Sequence, residues 1–235
     1  MIKLVGPMQR LDLMPREEFK RYYVEQHTRA ASGLPGNVKY IGSPALQGAN
    51  GEDPPFDSVA EMYYEDLATL QGAYTSEQWE KARADHPSVV SGRIMFVTEE
   101  HTFLEPPPPG SGAIKYQAFL SRKDCMAMED FRSYWLEEHM LLALQTPGLI
   151  GYRACPSICS ANGDSLLKDP MDSPQFDGVI DMWFESVDDF ERSYRDPFWD
   201  KLLVDYYQNF AMGRIQVLVE EHLVFDLTSE RSSGQ

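Results

Sequence analysis

Residues 15–32 read PREEFKRYYVEQHTRAAS, and residues 128–143 read MEDFRSYWLEEHMLLA. Phe19, Tyr22, Tyr23 and His27 of the first stretch fall on Phe131, Tyr134, Trp135 and His139 of the second, at a constant offset of 112 residues (131 − 19 = 112). At the α-helical repeat, Phe19, Tyr23, Gln26 and Ala30 line one face, with Tyr22 and His27 at its margins. Each stretch therefore reads as an amphipathic helix with one histidine at the edge of an aromatic stripe. Gln26 and its counterpart Glu138 fall near the middle of that stripe. A carboxylate there would be paired, or have a raised pKa fit for acid catalysis.

The same offset extends outward, setting Ile2-Lys3 against Ile114-Lys115, Arg10 against Arg122, Pro35-Gly36 against Pro147-Gly148 and Tyr40 against Tyr152. Beyond Tyr152 the spacing lengthens. Phe56-Asp57, Glu61 and Trp79 meet Phe176-Asp177, Asp181 and Trp199, and later Gly92-Arg93 and Glu99-Glu100-His101 meet Gly213-Arg214 and Glu220-Glu221-His222. The change places an insertion in the second copy between Tyr152 and Phe176. Self-similarity of this kind marks a duplicated module, with units at 1–105 and 113–226, a Pro/Gly linker at 106–112 and a polar tail at 227–235.

Within a unit, residues 2–10 alternate like a half-buried strand. A helix begins after Met14 with Pro15 in its first turn, and Leu34-Pro35-Gly36-Asn37 ends it. Strands are expected over 38–46 and 57–64, helices over 66–73 and 78–84, and a last strand over 93–104. The order β-α-β-β-α-β is the ferredoxin-like arrangement of the α+β class, an antiparallel sheet with helices on one face only. Laying one bare sheet on the other gives two tandem ferredoxin-like units forming an intrachain pseudo-dimeric α+β barrel, hinged by the stiff Pro106 to Pro109 run.

Composition narrows function. Of the 235 residues, 43% are hydrophobic and 12% aromatic, ample for packed cores, and no apolar run approaches the roughly 20 residues that span a bilayer. The N-terminal MIKLVGPMQRL lacks an apolar core and a small-residue cleavage site, so the expected compartment is the cytoplasm. Twenty-one basic against 37 acidic residues give a net charge of −16, which repels nucleic acid and anionic membrane. An anionic substrate would need locally placed arginines. Cys125, Cys155 and Cys159 form neither a disulfide framework nor a metal-ligand pair set, and Cys125 has no neighbouring base to mark it as a nucleophile. Metal-ligand spacings, the G-x-S-x-G elbow, the P-loop and the dinucleotide glycine pattern are all missing, so neither metal nor cofactor is expected.

A strand ending in arginine, then E-x-F-x-x-Y-[YW]-x-x-x-H, then L-P-G or T-P-G before a Tyr-bearing strand, resembles the EthD family of dimeric α+β barrel proteins. The strand beginning Phe56-Asp57 and Phe176-Asp177 strengthens the likeness, which covers nearly the whole chain twice. The resemblance implies a pocket between helices and sheet in each unit, with the pair normally formed by a homodimer here formed within one chain. It also implies cofactor-free proton transfer: muconolactone-type isomerisation, dehydration of polyketide aromatics, or reaction of ring-cleaved dienoates from lignin-derived aromatics. Other members have no known activity, and fold alone does not choose.

His86 is the one histidine that the repeat does not duplicate; counting back from His101 and His222, it answers to Tyr207. A neutral imidazole is a natural base for a C–H or water proton, and in related barrel cyclases a histidine after the second helix has that role. The plainer reading of His86-Pro87 is an exposed loop. His27 and His139 can point into a helix–sheet pocket or be core histidines bonded to a carbonyl. Tyr22, Tyr23, Tyr40 and Trp79, with Tyr134, Trp135, Tyr152 and Trp199, form either core or a pocket lining whose phenols could steady a developing oxyanion. Arg10, Arg93, Arg122 and Arg214 could hold a substrate carboxylate or lie solvated at strand ends. Glu61 and Asp181 are expected to pair structurally with Lys3, Lys115 or an arginine, and His101 and His222 to lie at the rim.

The expected activity is cofactor-independent acid–base chemistry, isomerisation or hydrolysis of an activated ester, on a small carboxylated dienoate or lactone from aromatic degradation. The alternatives are a dehydratase or cyclase of a polyketide-like aromatic, and a non-catalytic ligand-binding or stress-type barrel. The partner is a small anionic molecule, and the assembly a monomeric pseudo-dimer or a homodimer.

Overall fold

In the computed structural model, which describes residues 1–47, 53–84, 86–158 and 176–228, the first unit forms β1 (Ile2–Arg10), α1 (16–32), β2 (Lys39–Pro44), β3 (Ser58–Tyr64), α2 (Leu67–Tyr74) and α3 (Glu77–Arg83). A single turn, α4 (His86–Val89), leads into β4 (Val90–Arg93), β5 (Phe96–Thr98) and β6 (His101–Leu104). The second unit repeats the order as β7 (Ile114–Arg122), α5 (128–143), β8 (Gly151–Pro156), β9 (Gly178–Phe184), α6 (Val187–Tyr194), α7 (Phe198–Asn209), β10 (Ala211–Glu220) and β11 (His222–Asp226). Cys159 and tail residues 229–235 lie outside the described residues, as does most of the expected insertion.

Local chemistry sets the boundaries. Asp66, Ser76 and Ser186 each cap a helix by accepting a hydrogen bond from the backbone N–H three residues on, which satisfies one of the otherwise unpaired first-turn donors. Gly36 and Gly148 adopt φ of 74° and 75° after the first helix of each unit, a backbone that favours glycine.

The first helix of each unit departs from a regular α-helix. Tyr23–His27 and Tyr134–His139 form π turns, in which each bond reaches one residue further and every later position moves one place along the face. The buried series is therefore Phe19, Tyr23, His27 and Ala31, and Gln26 and Ala30 are exposed. In the second unit Phe131, Trp135, His139 and Ala143 are buried and Glu138 is exposed. This corrects the regular-helix expectation: both histidines sit within the buried face, and Glu138 has no role there.

The expected last strand, 93–104, is two strands in different sheets, preceded by the short β4. β4 and β5 pair with β1, whereas β6 crosses to pair with β8; reciprocally, β10 stays on β7 and β11 crosses to pair with β2. The resulting orders are β11-β2-β3-β1-β4 and β10-β7-β9-β8-β6. Each crossing occurs at a glutamate drawn between the sheets: Glu100 lies 3.4 Å from Lys3 and 3.2 Å from Arg153, and Glu221 lies 2.7 Å from Lys115. Bridges at Ala45–Val219 and Thr98–Ser157 link the two sheets further.

Between the sheets, Val5, Val59, Phe96, Phe119, Phe176, Val179 and Val217 form one apolar cluster drawn from both units. β1 is thus buried on both faces, where the alternation alone suggested one. Next to Val5, Lys3 donates to Glu61 at 3.0 Å and to Asp181 at 2.8 Å, and Lys115 donates to Glu61 and Glu221. Burial alone would raise the Glu61 pKa, but the Lys115 and Lys3 ammoniums outweigh it and hold the carboxyl at about 2. The expected structural pairing of Glu61 and Asp181 is what these contacts form.

Candidate functional site

A cavity of about 30 Å³ lies between α1, α3 and the first sheet. Its walls are mostly apolar, with Met8, Met62, Met95 and Trp79 among them, and its polar groups are His27, Arg83, His86 and Arg93. α1 supplies His27, 5% exposed, through the π turn. The turn α4 supplies His86, half-buried, and β4 ends on Arg93, 8% exposed. The His27 and His86 rings lie 5.1 Å apart, and the Tyr23 ring stacks on His27 at 5.6 Å.

Arg93 Nη1 lies 2.9 Å from His86 Nδ1. A guanidinium only donates, so His86 Nδ1 accepts, and a neutral His86 has its proton on Nε2. The cavity thus joins a buried imidazole, a second imidazole of fixed tautomer and a buried cation within a mostly apolar wall. Such a set can take a proton from a small molecule, return it elsewhere and fix an anionic group.

The second unit has the same scaffold with the space filled. Gly6, Ala60 and Ala82 of the cavity correspond to Ala118, Ile180 and Leu202, and Val89 corresponds to Phe210, which is fully buried. The Phe210 ring lies 4.7 Å from that of His139, whose Nδ1 is 2.7 Å from Asp205. Burial lowers the His139 pKa and outweighs the opposing pull of Asp205. Tyr207 does not join a site: α7 turns the neighbouring Tyr206 inward and leaves Tyr207 45% exposed.

The remaining candidates divide. Trp79 reaches the cavity wall; Tyr22, Tyr23 and Tyr40 do not. Tyr22 is half-buried, and the Tyr23 hydroxyl sits among Tyr40, Ser43 and Ser58. Arg10 and Arg122 pair with Asp57 and Asp177 at 3.0 and 3.5 Å, and each of these aspartates also accepts the arginine's own backbone N–H; these arginines brace loops. Arg214 contacts Tyr116 and Tyr194. His101 and His222 are at the rim, 2.7 and 3.7 Å from Glu99 and Glu220. What the residue-by-residue reading missed was the open-versus-filled contrast, for which small-to-large changes at aligned positions were the signal. Among the described residues no three or more His, Cys, Asp or Glu side chains are grouped so as to hold a metal ion, and no described helix is long and apolar enough to cross a membrane.

An EthD domain matches residues 12–92 and again residues 123–213. The chain belongs to the EthD family. Within solved structures, this EthD chain is similar to an anthrone oxidase-like protein, with TM-score 0.71 and 10% identity over 94% of this chain and 92% of that one. It is also similar to a provisionally assigned monooxygenase from Fusobacterium nucleatum, with TM-score 0.58 and 8% identity over 94% and 93%. An EthD family protein from Bacillus halodurans matches at 21% identity and TM-score 0.36, over 43% of this chain and 99% of that one. A sequence search of curated proteins gave no match. At these identities the shared property is the fold.

Proposed function

We propose that the first EthD unit is a cofactor-independent acid–base catalyst and that the second is its structural partner. The observation that carries this reading is the placement of His27, His86 and Arg93 around a cavity whose counterpart has larger side chains, with Phe210 buried against His139. His27 takes a C–H proton made acidic by an adjacent carbonyl or conjugated carboxylate. His86, its Nδ1 engaged by Arg93, donates from Nε2 to the developing oxyanion, and Arg93 adds positive charge. Return of the proton to a different carbon completes an isomerisation with no change of oxidation state. The substrate class that fits is a small carboxylated dienoate or lactone of aromatic degradation, or an ester activated by such conjugation.

A cavity of about 30 Å³ has room for about one water, so a substrate must displace the half-buried Arg83 side chain while His86 stays on Arg93. This favours slender substrates over polycyclic polyketides. The test is an ultraviolet screen of ring-cleavage dienoates and lactones. Turnover is expected in the native chain and should be lost in His27→Ala and His86→Ala; turnover unchanged in both variants would overturn the reading.

A further inference from the structure

A separate groove of about 630 Å³ lies between α6, β10 and, from the first unit, Leu46, Gln47 and residues 53–55. Its walls include Phe190, Tyr194 and Ile215, and Tyr116, Arg214 and Gln216 converge within it. Arg214 Nη1 donates to the Tyr116 hydroxyl at 3.0 Å and Nη2 to the Tyr194 hydroxyl at 3.3 Å, while Tyr116 donates to Gln216 Oε1 at 2.8 Å. Among the described residues, the Arg214 guanidinium meets these two phenols and no carboxylate. Arg10, Arg122, Arg153 and Arg195, by contrast, each pair with a carboxylate.

A half-buried guanidinium without a counter-ion is costly, and neutral oxygens compensate it only in part. Tyr194, having accepted from Arg214, still has its own proton to give. The acids on the rim are already engaged, Asp53 by Arg10 and Arg16 and Glu191 by Arg195, so they present little repulsion to one incoming negative charge.

We propose that this groove is a second ligand site, for a small planar monocarboxylate. Its carboxylate sits against the Arg214 fork and the Tyr194 hydroxyl, and its ring lies along Phe190 and Ile215. The site is independent of the His27–His86 cavity and of any catalysis there; a substrate, a product or an effector of aromatic acid type would meet the same chemistry.

The test is a titration with benzoate at fixed ionic strength, followed by amide NMR shifts, with acetate as the control. Arg214→Gln should weaken benzoate binding at least about tenfold by removing a charge-assisted pair, and Tyr194→Phe about threefold or more. Arg93→Gln should leave it within about twofold, since that residue does not line the groove. Equal affinity in Arg214→Gln would overturn the proposal. So would acetate binding as tightly as benzoate, which would mean an adventitious ion only, or loss of binding in Arg93→Gln alone, which would put benzoate in the first cavity. Should Arg214→Gln fail to fold by circular dichroism, Tyr194→Phe decides alone, unchanged affinity counting against the site.

Discussion

Arg93 in the last strand of the first unit donates to Nδ1 of His86, seven residues earlier, at 2.9 Å. The contact engages the lone pair of His86 Nδ1, so in the proposed mechanism His27 is the base. His27→Ala should lower turnover by about 10²-fold or more, as loss of a general base does. Arg93→Gln should shift the pH profile of turnover as well as its rate, because the His86 tautomer is released. Exchange of the substrate C–H with deuterium in the native chain, but not in His27→Ala, would assign the proton step.

Ala82 and Ala60 are where the second unit has Leu202 and Ile180. Ala82→Leu with Ala60→Ile should fill the first cavity and abolish turnover, while the urea midpoint holds or rises. Leu202→Ala should instead cost about 2–5 kcal/mol, as for other buried leucines, with turnover per folded molecule unchanged. A loss of turnover in Leu202→Ala would place catalysis in the second unit.

Each unit gives its last strand to the other's sheet, β6 to β8 and β11 to β2. Residues 1–105 alone should therefore lack a cooperative unfolding transition, and the same should hold for 113–235. Halves cut within the linker should regain near-ultraviolet circular dichroism only when mixed, eluting as a one-to-one complex.

The ionic cluster between the sheets makes stability depend on acid. Glu61 has its pKa lowered from 4.5 to about 2 on folding. Its contribution is therefore fully present above pH 4.5 and is lost as pH falls from 4.5 toward 2. His139, whose folded pKa lies below 6.5, adds stability above pH 6.5 that is lost as the unfolded chain takes up its proton below that value. Urea midpoints should fall in both windows. Lys115→Met should cost about 3–5 kcal/mol, by leaving Glu61 and Glu221 short of a buried partner. An unchanged urea midpoint in that variant would count against the cluster as a stabiliser.

The repeat was legible because Phe19, Tyr23, His27 and their counterparts recur at fixed spacing, and the ferredoxin-like order followed from hydrophobic period. The π turns were not legible: one inserted residue per turn changes no composition, yet it exchanges Gln26 for His27 and Ala30 for Ala31 at the buried face. The strand exchange was hidden because no glycine or proline between Phe96 and Leu104 marks two strands, and pairing partners lie far away in sequence. The sequence signature of the cavity is Gly6, Ala60 and Ala82 set against Ala118, Ile180 and Leu202. Side-chain volume, more than the chemistry-bearing residues, separates the two units.

The 106–112 linker turns what would otherwise be an association between two chains into a single covalent molecule. In a symmetric dimer any substitution strikes both chambers at once. Here Phe210 could enlarge to seal one chamber without touching Val89 in the other. Covalent fusion thereby leaves each half free to change the volume behind its own sheet independently of its sibling.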